Sequence, residues 1–347
     1  MDALDGRLWL ASMAFILAAC VTGLSIPLAH RLGILDQPGR IKIHSQATPR
    51  FGGVGIAVTL ITVGAASGVL RGGALAGLIA IAVVGALDDR HGLRPIHKLL
   101  GEVLAGALLG WHLSHGELGG LGCAAGLIMV VALANAVNLV DGMNGLAAGS
   151  AAISAAGCAM LQHATGGDSS FALVLSPAAL GFLIWNFPRA KTFMGDVGSL
   201  TIGYSLAYIL ASLAESSWRA AWCALPMVAL PLSDMLVCIA RRRLGRRSIL
   251  EGDRDHLYDV LHRRLANATT TVLTIYGANL VLLVIGMRLL YAAVGEIIGL
   301  SVVTLLLLVF ASVQFGLRPR GAPDSDHEFA RTASRREEDL TGVSDAK

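Results

Sequence analysis

The chain alternates long apolar runs with short polar connections. Each run is long enough, or nearly so, to cross the hydrocarbon core of a membrane as a helix, which takes about 20 residues. The runs cover residues 8–29, 53–70, 73–87, 99–113, 121–137, 146–161, 171–187, 199–214, 220–240, 271–290 and 297–315. This pattern predicts an all-α, polytopic integral membrane protein with about eleven transmembrane helices.

The distribution of charged residues supports this prediction and also predicts the orientation of the chain in the membrane. Only 15% of the residues are charged, far fewer than in an ordinary soluble protein. All but four of the 27 Lys and Arg residues lie in alternate connections or in the C-terminal segment. The four exceptions are Arg7, Arg71, Arg219 and Arg288. By the positive-inside rule, the N-terminus faces outward and the C-terminus is cytoplasmic. The net charge of +3 therefore gives no reason to expect a nucleic-acid partner.

The apolar pattern also sets the predicted domain organisation. Residues 1–315 form one membrane-embedded domain with its polar clusters on the cytoplasmic side. Residues 316–347 are polar, charged and nearly free of aromatic side chains. Such a segment cannot bury enough apolar surface to fold, so we expect a disordered cytoplasmic tail.

A polar stripe interrupts the apolar pattern in the middle of the chain. Asn135, Asn138 and Asp141 recur every three residues at the end of a predicted helix, and Gly142 follows them. On a helix these side chains share one face. Polar groups at a membrane boundary are costly unless they bind something polar. An inter-helix loop with capping Asn and Asp is the alternative interpretation.

Two further carboxylate motifs lie on the same predicted side. The adjacent pair Asp88 and Asp89 ends an apolar run and precedes the basic residue Lys98. Neighbouring carboxylates suggest a Mg²⁺ site or a general base, with helix capping as the alternative. Asp196 lies between glycines at the start of an apolar helix, where it could cap that helix or serve as a ligand. Asp234 lies inside a predicted span, which indicates function unless another helix supplies a structural partner.

The basic connections offer candidates for binding phosphate. Lys42 and His44 precede the glycine pair 52–53, whose backbone amides can approach a ligand closely. Arg254 and His256 lie in the most basic connection. Membrane anchoring and attraction to anionic lipid are the alternative interpretations of these two segments.

Taken together, these motifs resemble the polyprenyl-phosphate N-acetylhexosamine-1-phosphate transferase family, a glycosyltransferase family 4 group. The family includes undecaprenyl-phosphate GlcNAc-1-phosphate transferases and the muramoyl-pentapeptide enzyme. The resemblance extends from about residue 8 to residue 264, and motifs in all five inner connections match. The most specific of these are Asp88-Asp89, Asn135-Ala-x-Asn138-Leu-x-Asp141-Gly142 and Gly195-Asp196-x-Gly198-Ser199.

The resemblance implies a reaction and a role for each candidate residue. A polyprenyl phosphate, such as undecaprenyl phosphate, attacks the sugar-linked phosphorus of a UDP-N-acetylhexosamine, and UMP leaves. The cofactor would be Mg²⁺, with Mn²⁺ as an alternative. The implied metal ligands are Asp196 and Asn138. The candidate catalytic carboxylates are Asp88, Asp89 and Asp141. The candidate substrate-binding residues are Lys42, His44, Lys98, Asn135, Arg254 and His256.

The chain departs from the family pattern at two places. Ile41 stands where many members have Arg, and the motif His256-Leu-Tyr258-Asp259 of the last inner connection has one histidine where members often have a histidine cluster. In the family, the last inner connection bears on the sugar. GlcNAc or a modified N-acetylated amino sugar is therefore expected rather than the muramoyl-pentapeptide. The resemblance implies a bacterial inner-membrane enzyme for surface polysaccharide and, by analogy, a homodimer. A secondary transporter of a phosphorylated solute and a non-catalytic scaffold are the alternatives.

Overall fold

The computed structural model describes residues 3–37, 47–244 and 256–316, with side chains described for residues 6–37, 47–244 and 256–309. The chain is mostly helical. Its elements, in order, are α1 (Ala3–Leu32), β1 (Leu35–Asp36), β2 (Thr48–Pro49), α2 (Val54–Ala66), α3 (Gly72–His91), α4 (Pro95–Leu113), α5 (Gly120–Val140), α6 (Leu146–Ala164), α7 (Ala172–Asn186), α8 (Gly195–Ser216), α9 (Trp218–Leu244), α10 (Leu257–Leu265), α11 (Ala268–Leu289) and α12 (Val294–Gly316).

Every apolar run identified in the sequence falls on a helix, and α10 is an additional short helix in the most basic connection. Within the described ranges, six helices are long and apolar enough to cross a membrane. These are α1, α3, α5, α8, α9 and α11. The helical, multi-pass character is thus confirmed, while the total of about eleven spans and their orientation stay predictions.

Helix α8 lies at the centre of the bundle. Almost all of its side chains are buried, and it packs against α3 and α5. Small residues allow this close approach, because a Cβ atom on Gly203 would collide with the backbone of Ala134 in α5. Glycine serves this purpose in membrane helices, where dispersion contacts replace the hydrophobic effect. The packing brings the N-terminus of α8 between the ends of its neighbours.

A short β-ribbon adds to the predicted helical architecture. Strands β1 and β2 are antiparallel, with Leu35 opposite Pro49 and Asp36 opposite Thr48. Two-residue strands are too short to give a periodic pattern in the sequence. The ribbon is connected to the segment that precedes α8, because the carbonyl of Pro49 accepts a hydrogen bond of 2.7 Å from the amide of Phe193. It thereby holds the segment around Arg50 against the start of α8.

The other predicted domain, the tail, lies outside the described residues apart from Gly316.

Candidate active site

Four aspartates gather where α3 and α5 end and where α8 begins, and we call them the acidic cluster: Asp88, Asp89, Asp141 and Asp196. The polypeptide brings them together because α3, α4 and α5 pack around the central helix α8. The structure therefore joins three motifs that are far apart in the sequence.

Asp196 holds the centre of the acidic cluster. Nη2 of Arg50 donates a hydrogen bond of 2.8 Å to its Oδ1, and Nζ of Lys98 contacts its Oδ2. The side chain is only 6% exposed. A carboxylate this buried needs such charge-assisted partners to stay ionised. The capping interpretation does not account for this side chain, which contacts two cations.

Arg50 was not singled out in the sequence, although it lies two residues before the predicted glycine pair. Its Nε lies 3.3 Å from Oδ1 of Asp89, so one guanidinium contacts two members of the acidic cluster. Burial lowers the pKa of Arg50, but the negative charges of Asp89, Asp196 and Asp36 outweigh burial and raise it overall. Arg50 therefore carries a fixed positive charge at the site.

Asp89 is anchored by main-chain groups. Its two oxygens accept hydrogen bonds of 2.7 Å and 3.0 Å from the amides of Asp196 and Val197 in the first turn of α8. The partial positive charge of a helix N-terminus favours this arrangement. Its side chain is completely buried. The contacts tie α3 to α8, and the predicted contact of Asp89 with phosphate stays untested.

Asp88 is placed differently from its neighbour. Its Oδ1 accepts a hydrogen bond of 2.6 Å from the amide of Leu93, and its Oδ2 lies 3.9 Å from Nζ of Lys98. One oxygen therefore holds the turn after α3 and the other lies toward Lys98, while α4 itself has no side-chain cap. The predicted roles of Asp88 as a metal ligand or a base stay predictions. The side chain is 14% exposed, so Asp88 is the more accessible of the pair.

The polar stripe on α5 completes the site. Asn138 accepts a hydrogen bond of 2.9 Å from the hydroxyl of Ser199 in α8. Asn135, one turn earlier, donates to Glu102 in α4. Asp141 follows the helix end. Its side chain is half-buried. Desolvation by the surrounding protein atoms is the main cause that raises the pKa of its carboxyl well above the usual range, and the negative charge of Asp196 is the second.

A second buried acid lies beside this region. Asp234 in α9 accepts a hydrogen bond of 2.8 Å from the amide of Leu257, and its other oxygen lies 2.7 Å from Nδ1 of His256. The ring of His256 stacks on Tyr258, whose hydroxyl lies where a Cβ atom of Gly142 would be. Asp234 thus has the structural partner that the sequence left open, and the pair fixes α10 beside the end of α5.

Comparison with known proteins decides the family. A model of glycosyl transferase family 4 matches residues 72–214. The chain is 30% identical over 303 residues to the probable undecaprenyl-phosphate N-acetylglucosaminyl 1-phosphate transferase of Bacillus subtilis, covering 79% of this chain and 83% of that protein. The chain belongs to glycosyl transferase family 4. The predicted family and the prediction of an enzyme that transfers a sugar phosphate are thus confirmed.

Other members of glycosyl transferase family 4 show similar relationships. The decaprenyl-phosphate N-acetylglucosaminephosphotransferase of Mycobacterium tuberculosis is 34% identical over 307 residues, covering 73% of this chain and 76% of that protein. The phospho-N-acetylmuramoyl-pentapeptide-transferase of Desulforudis audaxviator is 31% identical over 327 residues, covering 80% of this chain and 96% of that protein.

Part of the predicted site of this family 4 enzyme cannot be compared with the structure. Lys42, His44 and Arg254 lie outside the described residues. Lys98, Asn135, Asn138 and the acidic cluster do lie at one end of the bundle, as the sequence motifs suggested. His256 is close to this end through Tyr258 and Gly142, but its Nδ1 is engaged by Asp234.

The carboxylate and amide oxygens at the site are ligands of the type that binds a hard divalent cation. Carboxylate and amide oxygens are the ligands that Mg²⁺ prefers. Arg50 and Lys98 both contact Asp196, and Asp88 and Asp89 lie beside these two cations. No group of three or more His, Cys, Asp or Glu residues in that part has the arrangement of a metal site. A cation would therefore share Asp196 with Arg50 and Lys98 or displace one of them.

Proposed function

We propose that this enzyme transfers a sugar 1-phosphate from a UDP-N-acetylhexosamine to a polyprenyl phosphate such as undecaprenyl phosphate. The observation that carries the proposal is the convergence of Arg50, Lys98 and the acidic cluster at one end of the bundle. The names of the relatives, which specify polyprenyl phosphates and N-acetylglucosamine phosphate, support it.

In the proposed reaction, an oxygen of the lipid phosphate attacks the phosphorus next to the sugar. The phosphoanhydride bond to UMP breaks, and a polyprenyl-diphospho-sugar stays in the membrane. A phosphate monoester with a second pKa of about 6 is already largely ionised near neutral pH. A strong general base is therefore not required, and Asp88 can act by orienting the lipid phosphate and Lys98.

The main electrostatic task is to bring two anionic substrates together. Lys98 and Arg50 are two cations at the acidic cluster, and both are held in place by Asp196. Such preorganised charge stabilises the negative charge that develops on departing UMP. Asp196 and Asn138 would hold Mg²⁺, with Mn²⁺ as an alternative. The bound cation would supply further charge neutralisation at the phosphates.

The test is UMP release by purified protein supplied with undecaprenyl phosphate, Mg²⁺ and a panel of UDP-N-acetylhexosamines. We expect release that requires both the lipid and the metal, with UDP-GlcNAc or a modified amino-sugar donor preferred over UDP-MurNAc-pentapeptide. EDTA and lipid-free reactions are the controls. Absence of UMP from every donor, with folded protein, would contradict the proposal and favour the transporter or the scaffold.

We further propose that residues 1–315 form an eleven-span domain of the bacterial inner membrane with a cytoplasmic site and an outward N-terminus. The sorting of basic residues supports this orientation. Single cysteines can test it in a variant that lacks the five native ones. A cysteine at Ser114 should react with an impermeant maleimide in intact cells, and one at Arg189 should react only after permeabilisation. The opposite labelling would contradict the orientation.

A further inference from the structure

A buried carboxylate outside the predicted site residues contacts the polar stripe of α5. Glu102 in α4 is 1% exposed, and its Oε2 accepts a hydrogen bond from Nδ2 of Asn135. An acidic side chain within an apolar helix is costly, and it persists where it has a partner and a function. Glu102 is not among the residues predicted from the sequence, because no second charged residue adjoins it.

The contacts of Asn135 fix which end of its amide is free. Nδ2 also lies 2.9 Å from the carbonyl oxygen of Val131, which can only accept a hydrogen bond. That atom must therefore be the nitrogen, and its two hydrogens are directed to Val131 and Glu102. Among the described residues Oδ1 has no hydrogen-bond partner, and it is not one of the fully buried polar atoms. Asn135 is half-buried, so its Oδ1 is an acceptor that the described residues leave open.

Helix geometry places this acceptor beneath the acidic cluster. Lys98 and Glu102 are four residues apart on α4, so they share one face. Asn135 lies one turn deeper than Asn138, which contacts the first turn of α8 through Ser199. Glu102 and Asn135 therefore form a layer one turn further into the membrane than the layer of Lys98 and Asn138.

We propose that Glu102 is a positioning residue that holds Asn135 so that its Oδ1 accepts a hydrogen bond from the nucleotide sugar. This inference rests on the proposed function and deepens it. The resemblance implies that Asn135 contacts phosphate or nucleotide. A carbonyl oxygen repels a phosphate oxygen, so the free Oδ1 faces the nucleotide sugar rather than phosphate. Its partner is an N–H or O–H group of the nucleoside or of the sugar.

Three variants test the inference once the wild-type protein is shown to turn over: Glu102→Gln, Glu102→Leu and Asn135→Leu. Glu102→Leu and Asn135→Leu should each raise the KM for the donor about tenfold, which is typical of one lost hydrogen bond. The KM for the lipid should not change. Glu102→Gln retains an oxygen that can accept the hydrogen bond of Asn135. Its KM for the UDP-sugar should therefore stay near that of wild type.

The double variant Glu102→Leu/Asn135→Leu separates positioning from general destabilisation. If Glu102 acts through Asn135, the double variant has the same donor KM as Asn135→Leu alone. The inference would be overturned if the effects of the two single substitutions on the KM for the UDP-sugar multiplied in the double variant. It would also be overturned if Glu102→Gln raised this KM as much as Glu102→Leu. Because wild-type turnover is measured first, failure of the proposed function is distinguished from failure of this inference.

Inhibitor binding supplies a test that does not depend on the Glu102 variants folding. Inhibition by pyrophosphate should be unchanged in Asn135→Leu and weakened in Lys98→Met, because Lys98 is assigned to phosphate and Asn135 is not. Weaker inhibition by pyrophosphate in Asn135→Leu would overturn the inference. Weaker binding of UMP in Asn135→Leu would place the hydrogen-bond donor in the nucleoside. Unchanged UMP binding with weaker UDP-sugar binding would place it in the sugar.

Discussion

The carboxylate of Asp89 accepts a hydrogen bond of 2.7 Å from the backbone amide of Asp196. This contact joins the end of α3 to the start of α8 and gives the two adjacent aspartates of α3 different surroundings. Asp89 is buried against main-chain amides, whereas Asp88 faces Lys98 and is partly accessible. The pair therefore divides into an anchoring residue and a residue that can meet a substrate.

Replacing each aspartate of this pair should affect stability unequally. Asp89→Asn loses one of the two acceptors for the α8 amides and places an NH₂ group against an N–H group. We expect it to lower the free energy of unfolding by about 1–3 kcal/mol. Asp88→Asn keeps an oxygen for the amide of Leu93 and should have nearly the wild-type Tm. Thermal unfolding in detergent measures both, and equal Tm values would contradict the division of roles.

Enzymatic activity, unlike stability, should depend most strongly on the charge of Asp196. Asp196→Asn removes the charge that holds both Arg50 and Lys98 and removes the predicted metal ligand. We expect a loss in kcat of at least about a hundredfold, in the range measured when a preorganised electrostatic group is removed. Asp88→Asn should lose less. Steady-state UMP release at limiting Mg²⁺ is the measurement, and near-native turnover of both variants would show that the site assignment is wrong.

The close contact of α3 with α8 depends on Gly85. A Cβ atom there would collide with the backbone of Asp196 and Val197, which cannot move away as a flexible side chain could. Gly85→Ala should therefore separate the helices, weaken the contacts of Asp89, and lower both Tm and activity.

The matched control for this substitution is Gly277→Ala in α11, where a Cβ atom meets no other atom within 4 Å. Alanine is about 1 kcal/mol more favourable than glycine within a helix, so this variant should have at least the wild-type Tm. A similar effect of both substitutions on Tm would contradict the role of Gly85.

The pair Asp234 and His256 should control the docking of α10. Asp234→Ala leaves the imidazole of His256 and the amide of Leu257 without this acceptor, so α10 should detach from its position beside Gly142. We expect faster tryptic cleavage at Arg263 and reduced UMP release. Asp234→Asn, which keeps an oxygen for the amide of Leu257, should be cleaved more slowly than Asp234→Ala. Wild-type cleavage rates in both variants would refute the docking role.

The sequence motifs predicted most of the site because each member lies at a helix end next to an apolar run. Asp88, Asn138 and Asp196 were found in this way. Arg50 and Glu102 were missed for different reasons. Arg50 belongs to a basic connection in which every cation is equally explained by membrane orientation. Glu102 is one acidic residue in an apolar helix, and its partner Asn135 lies in another helix.

The apolar runs and the motifs at their ends were enough to predict the helical membrane architecture and the family. Long apolar segments in lipid must satisfy their backbone hydrogen bonds internally, and a helix is the form that does so within one segment. The pairing of the polar residues, in contrast, follows from the packing of the helices. Arg50 and Asp196 are separated by 146 residues, and their contact exists because the ribbon and the glycines of α3 and α8 allow close packing. Such pairing depends on distances between helices, which hydrophobic periodicity does not specify.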